Sequence, residues 1–335
     1  MKRLFLCLAL LLAGLTACAP SAVVSEGQVW AYDTLCSGKV WGDRSYTAVF
    51  ESAAEEGQTL LSSDGSKEYT ASAAGDRLSV GTDLFRILSL AEILYEKTGG
   101  VFDLTVAPLS RLWNVNKADT PPSAEEIEAA LALVGWDKVS LSDSALTFSL
   151  QGMGIDIGSV GKGYGADRTV SALKDAGASA GVVSFGGNVA LFGQKNGSHF
   201  LVGIRDPQSA EGGILGTLSV TDVSVVTTGA YERFFEYEGE VYHHLLDAVT
   251  GYPRRSDLLS VTVVCADGAQ ADLMATALWL MGSQAGWALY EELCQTEGFV
   301  PCDVIFVLEN GSLWVSEGLE DSFSLSAAGY RREAP

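Results

Sequence analysis

Histidine occurs only three times in these 335 residues, cysteine six times and proline eight times, while 21 basic residues face 42 acidic ones for a formal net charge of −21. Each scarcity narrows the function. So acidic a surface repels phosphate backbones and anionic lipid, which argues against any nucleic-acid partner. No two cysteines form a CxxC pair, so a structural zinc knuckle is not expected. No internal repeat of fixed period and no low-complexity tract breaks the chain. The apolar stretch Leu4–Leu12 is too short to cross a bilayer.

That stretch follows Lys2 and Arg3 and ends in Leu15-Thr16-Ala17-Cys18, which resembles a bacterial lipobox. The expectation is a lipoprotein signal peptide over 1–17, lipidation at Cys18, a linker over 18–28 and one folded domain over 29–330, anchored by lipid at the extracytoplasmic face of a bacterial cell membrane. With Cys7 in the signal peptide, four thiols remain besides Cys18. Cys294 and Cys302 could pair in an oxidising compartment, and the spacing leaves that open.

Glycine is plentiful, and residues 152–168 gather it: Gly-Met-Gly-Ile-Asp-Ile-Gly-Ser-Val-Gly-Lys-Gly-Tyr-Gly-Ala-Asp-Arg. An apolar run with one aspartate enters a glycine cluster, and Lys162 then opens a helix. Glycines permit close backbone approach, and a helix start favours anions, so a phosphate-bearing ligand is the first expectation. A P-loop would need glycine where Asp156 stands and Ser or Thr where Gly163 stands. A dinucleotide fingerprint would need an acid about twenty residues later, but no Asp or Glu occurs between Asp175 and Asp206. Both readings fail. In a chain this acidic, a diphosphate calls for a bound cation.

Periodicity and caps predict helices over Thr82–Lys97, after Ser123 with Glu126 three residues on, over Gly161–Ala176, Ala269–Met281 and Ser283–Cys294. Strands are expected over Val29–Phe50, Lys138–Leu141, Ala145–Leu150, Met153–Ile157, Gly181–Ser184, Phe200–Ile204, Leu215–Val220, Ser224–Thr227, Tyr231–Tyr237, Val241–Leu246, Leu258–Cys265, Val304–Leu308 and Ser312–Val315. Adjacent strands with segregated helices indicate an α+β fold of mostly antiparallel or mixed sheets.

Asp272 and Thr276 stand four apart on a predicted helix and so share a face. Carboxylate and hydroxyl together suit a hard cation such as Mg²⁺, although a first-turn charge and a polar filler would read the same way. His243 and His244 are adjacent, so a strand would send them to opposite faces. His244 with Asp247 is the better pair for acid–base work. Arg205 and Arg233, at strand ends, are expected to make surface ion pairs of little weight.

Taken in order, these segments resemble the ApbE family. Phe102-Asp103-Leu104-Thr105-Val106-Ala107-Pro108-Leu109 with Leu112-Trp113 is similar to its FDPTVGPLxxLW segment, and Ile155–Asp167 to its IDLGxxxKGYAxD block. Ser184–Asn188, Gly203–Pro207, Thr227–Arg233, His244–Pro253 and Asp272–Thr276 resemble five further blocks, all in family order over roughly residues 30–315. The resemblance implies an α+β fold and an exported FAD:protein FMN transferase, which uses Mg²⁺ to join FMN from FAD to a Ser or Thr of an acceptor protein and releases AMP. It further implies that Ser159, through its carbonyl, holds the metal with Asp272 and Thr276. Asp156, Lys162, Leu245 and the segment Val101-Phe102-Asp103 would contact FAD, and His244 would assist transfer, with the general base left open. The same site could serve a FAD pyrophosphatase, water replacing the acceptor, and a flavin-binding lipoprotein without turnover is a third reading. The chain departs from the family pattern at Leu104, Ala230, Ala248, Val249 and 36–39, none of which is an expected metal ligand.

Overall fold

The computed structural model describes residues 23–60, 66–209 and 212–335. The expected signal peptide and Cys18 lie outside the described residues, as do residues 61–65 of the serine-rich run Leu61–Ser66. No helix among the described residues is long and apolar enough to cross a membrane.

The described chain opens with a hairpin of strands Val23–Ala31 and Thr34–Gly42, joined by Tyr32 and Asp33, both at φ 55°. Two left-handed residues in a two-residue loop match the twist of the flanking strands. This corrects the linker expected over 18–28, since residues 23–28 alternate buried and exposed as a paired strand. It also corrects the strand expected to run to Phe50, because Thr47–Gly57 is a helix, α1. Its buried stripe is Phe50, Ala53, Ala54 and Gly57, mostly residues too small to mark an amphipathic helix. Phe50 lies over Gly27 and Gly38, where an added Cβ would come within 2.6 Å of its ring.

Six more helices follow: α2 Thr82–Lys97, α3 Ala107–Trp113, α4 Ala124–Leu131, α5 Gly161–Asp175, α6 Gly268–Met281 and α7 Ser283–Leu293. The capping box at Ser123 and Glu126 forms as the sequence predicts. The central sheet has nine strands, antiparallel except for its last pair, and Leu258–Cys265 lies inside it. That strand is buried along almost its whole length, the mark of a strand covered on both faces. Val261, Val263 and Cys265 pack towards α2, α6 and α7, while Val264 faces a second sheet of Phe200–Arg205, Ile214–Val220 and Phe323–Leu325. The fold is α+β.

Two predicted strands are shorter than their apolar runs. Residues 230–232 form a 3-10 turn before the strand Phe234–Tyr237, and Glu240–His243 ends before His244. Cys294 and Cys302 are free thiols.

Candidate active site

α6 is apolar on nearly every side and buried over almost its full length, so its place is the core. Asp272 therefore sits in the interior, 3% exposed, and Thr276 one turn on lines the same cleft. A buried carboxylate needs hydrogen bonds and positive charge. The N–H of Gly163 donates to Asp272 Oδ2 at 2.9 Å, yet Asp272 forms no ion pair among the described residues.

The glycine cluster explains itself here. A Cβ on Gly163 would lie 2.0 Å from the carbonyl oxygen of Gly268 and 2.9 Å from Asp272 Cβ, so only glycine lets α5 approach α6 this closely. The docking is reciprocal. From α5, Asp167 Oδ2 accepts the N–H groups of Gly268 at 2.7 Å and Ala269 at 3.1 Å, the first two of α6. Asp267 accepts the third, from Gln270, at 2.8 Å. Each helix start is thus closed by a carboxylate, and Gly161 gives its N–H to the Ile157 carbonyl. The phosphate cradle first expected of this stretch has little amide left to offer.

Burial, then the charge of Asp267, pushes Asp167 up to about 7. A folded-state value above the ordinary 3.8 means that the native state binds the proton more tightly. Its contribution is complete below about pH 4 and is lost as pH rises through 7. Asp167→Asn, which keeps an acceptor for the α6 amides, is expected to remove this slope from thermal unfolding curves. Asp167→Ala leaves two amides unpaired and is expected to cost about 1–3 kcal/mol. Equal stability of the two variants would overturn this role.

The main cleft has a volume of about 590 Å³, within the size range of small-ligand sites. Lys162 from α5, Asp156 and Ser159 before it, Phe102, His244, Leu245, Asp272 and Thr276 all line it. Asp156 Oδ1 accepts the Gly158 N–H at 2.7 Å, fixing the turn that carries Ser159. Val101 does not line the cleft; its carbonyl accepts the Ala248 N–H. Asp103 lines it but spends both oxygens on backbone, from Thr105 at 2.7 Å and Trp136 at 2.9 Å, and burial lifts it to about 6.

The two histidines part as expected. His243 packs edge-on against Trp279, accepts from the Leu245 N–H at Nδ1, and so donates from Nε2 to the Arg254 carbonyl. His244 faces the cleft. Its Nδ1 lies 3.2 Å from the Arg233 carbonyl, which can only accept, so Nδ1 carries the proton and Nε2 is left with a lone pair. Burial, then the Arg233 charge, lowers His244 from 6.5 to about 3. The expected pairing of His244 with Asp247 is corrected: Asp247 binds Arg254 at 2.6 Å and holds the turn at Val249 and Thr250.

The expectation for Arg205 and Arg233 is also corrected. Neither they nor Lys162 form an ion pair among the described residues. Two further clefts, of about 330 and 500 Å³, open beside the first, and Lys162, Arg233 and Asp33 line all three. Asp33 was not legible as a site residue, because the Tyr-Asp turn that projects it lacks the usual Asn-Gly signal. Arg111, Glu68 and Asn114 to Lys117, which also line the main cleft, carry no motif of their own.

No three His, Cys, Asp or Glu side chains converge as a metal cage among the described residues. What the site offers a cation is one buried carboxylate, one hydroxyl and the turn at Ser159. These are hard oxygen donors, which suit Mg²⁺ when the ligand's own phosphates complete the shell.

Comparison with known proteins identifies the family. The profile of the ApbE family matches residues 32–300. The chain is 32% identical over 257 residues to the FAD:protein FMN transferase of Klebsiella pneumoniae, covering 76% of this chain and 78% of that protein. Against the FAD:protein FMN transferase of Treponema pallidum the identity is 31% over 316 residues, with 86% and 85% covered. The fold matches the apo flavinyl transferase ApbE of Pseudomonas stutzeri with a TM-score of 0.73 at 24% identity, over 91% of this chain and 98% of that one. It also matches the ApbE protein of Thermotoga maritima with a TM-score of 0.71 at 28% identity, over 90% and 99%. By sequence and by fold, the chain belongs to the ApbE family.

Proposed function

We propose that this chain transfers FMN from FAD to a serine or threonine hydroxyl of an exported redox protein, with Mg²⁺, and releases AMP. Lipid at Cys18 would hold it at the extracytoplasmic face of the membrane. The observation that carries the reading is one cleft combining two cations in no ion pair, Lys162 and Arg233, and the nearby Glu232, with a buried carboxylate in no ion pair, Asp272, and a neutral histidine, His244. Cations alone would bind an anion without turning it over. The added carboxylate is what a metal-assisted phosphoryl transfer requires.

The diphosphate of FAD lies along Lys162, a point charge, and Arg233, a planar fork. The acceptor oxygen bonds to the phosphorus of the FMN half while the pyrophosphate P–O bond breaks, and the bridging oxygen leaves on AMP with its electron pair. The hydroxyl proton passes to His244 Nε2 and on to solvent. Mg²⁺ held by Asp272, Thr276 and Ser159 would neutralise charge on the phosphates. Positioning and charge stabilisation supply most of the rate in such transfers.

The test mixes the protein with FAD, Mg²⁺ and a peptide bearing Asp-Gly-x-Ser-Gly-Ala-Thr. Flavin fluorescence migrating with the peptide supports the transferase. FMN and AMP without labelling point to a hydrolase, and unchanged FAD to a binder. His244→Gln is expected to slow transfer by about 10²- to 10⁴-fold. Because His244 is lowered to about 3, the unprotonated base persists on acidification, and kcat/KM should lack an acid inflection near 6.5 between pH 5 and 8. An inflection there that His244→Gln removes would contradict the neutral, buried base.

A further inference from the structure

The third cleft, about 500 Å³, has no part in the scheme above. It meets the main cleft at Lys162, Arg233, Glu232 and Asp33, so whatever fills it ends where the phosphates would react. One wall is the turn Gly186-Gly187, both glycines at positive φ, and a Cβ on Gly187 would meet nothing within 4 Å. The strand Phe200–Arg205 also lines it, contributing Val202 to Arg205. That strand pairs with Ile214–Val220 on one side, and no strand pairs with its other side among the described residues. Its outer edge therefore presents main-chain donors and acceptors, the template onto which an extended segment adds.

Charge gives the second observation. Arg205 lines this cleft with its guanidinium over the Tyr231 ring, 5.2 Å from the centroid, and has no carboxylate partner among the described residues. Acidic residues outnumber basic ones two to one in this chain, yet none closes an ion pair with Arg205 among the described residues; Glu232, on the same cleft, only feels its charge from a distance. An unpaired arginine on an aromatic platform is built to take a carboxylate in two parallel hydrogen bonds.

We propose that the third cleft seats the acceptor protein. An extended segment adds to the free edge of Phe200–Arg205 and lays an acidic side chain against Arg205. It carries its hydroxyl to the junction at Lys162, beside the His244 that the Arg233 carbonyl holds in place. The assignment rests on the transferase reading, because only a transferase has a second, protein substrate to seat.

Two variants test it. Gly203 lies on the exposed face of the strand with an extended backbone, and a Cβ there meets only the flexible Ile214 side chain, at 3.3 Å. Gly203→Trp fills the cleft without backbone strain, and Arg205→Glu reverses its charge. Each is expected to raise the KM for the acceptor about 10-fold or more, with FAD affinity, read by flavin fluorescence, unchanged. Changing the acceptor's acidic residue to lysine should restore labelling by Arg205→Glu and impair labelling by the wild type. Wild-type acceptor KM in both variants, or loss of FAD affinity together with labelling, would overturn the assignment to this cleft. A wild-type protein that labels no acceptor at all would instead overturn the transferase reading, and the cleft assignment with it.

Discussion

Alanine at Gly163 is expected to cost both stability and activity, far more than alanine at Gly161 in the same turn. At Gly161 the nearest atom to an added Cβ is a ring carbon of Tyr32 at 3.5 Å, an ordinary contact. At Gly163 it is a backbone oxygen of α6 at 2.0 Å, with the Gly268 carbonyl carbon at 2.6 Å. Side chains can rotate away from a methyl group, but the first turn of a buried helix cannot. Overpacking of this kind costs about 1–3 kcal/mol, and the backbone clash puts Gly163→Ala at the upper end. The displacement also carries Asp272 and Thr276 out of register with Lys162, and a shift of about 1 Å at a reacting site costs about 100-fold in rate. Thermal unfolding and transfer kinetics on the two alanine variants check this. If Gly163→Ala matched Gly161→Ala in both, the close approach of α5 and α6 would have no functional weight.

Asp272 gives the second large effect, and two substitutions divide its roles. Asp272→Ala removes a charge and also strands the Gly163 N–H. Asp272→Asn keeps an oxygen for that N–H and removes only the charge. If Asp272 carries the metal's one anionic side-chain contact, Asn should fold like the wild type and still lose about 10³-fold in turnover, the equivalent of about 4 kcal/mol of transition-state charge stabilisation. The rest of the effect should appear as a raised Mg²⁺ requirement. Full activity for Asp272→Asn at ordinary Mg²⁺ would remove the metal assignment. Loss of folding in Asn as well as Ala would recast Asp272 as a purely structural carboxylate.

The parts of this molecule that could be read from the chain are those in which local pattern and tertiary role agree. α2 begins at Thr82 and ends at Lys97 as its apolar spacing predicts, and Leu258–Cys265 is legible because a strand covered on both faces needs a continuous apolar run. Asp272, Thr276, Lys162 and His244 could be marked because each is a polar residue at a defined offset within an otherwise apolar or glycine-rich segment. α1 was hidden because its core face is Ala, Ala and Gly under one Phe. The His244–Asp247 pair was misjudged because closeness in sequence says nothing about the turn that aims Asp247 at Arg254. Asp167 and Asp33 could not be assigned roles at all. One acts on a helix 101 residues further along the chain, and the other reaches the cleft through a turn whose residues do not advertise it. Contacts made across the fold leave no period in the sequence.

The burial of α6 has a further consequence for how members of such a family can diverge. A helix shielded from water along nearly its whole length opens only when the domain as a whole unfolds. Asp272 and Thr276 are therefore held in a part of the molecule that does not adapt to one substrate or another. The glycine turn at 186–187 and, on the free strand, Gly203 and Arg205 are instead exposed to solvent. If the third cleft seats the acceptor as proposed, drift there would retune which partner is accepted while the buried residues stay as they are, so that recognition and reaction would evolve on separate surfaces of one cleft system.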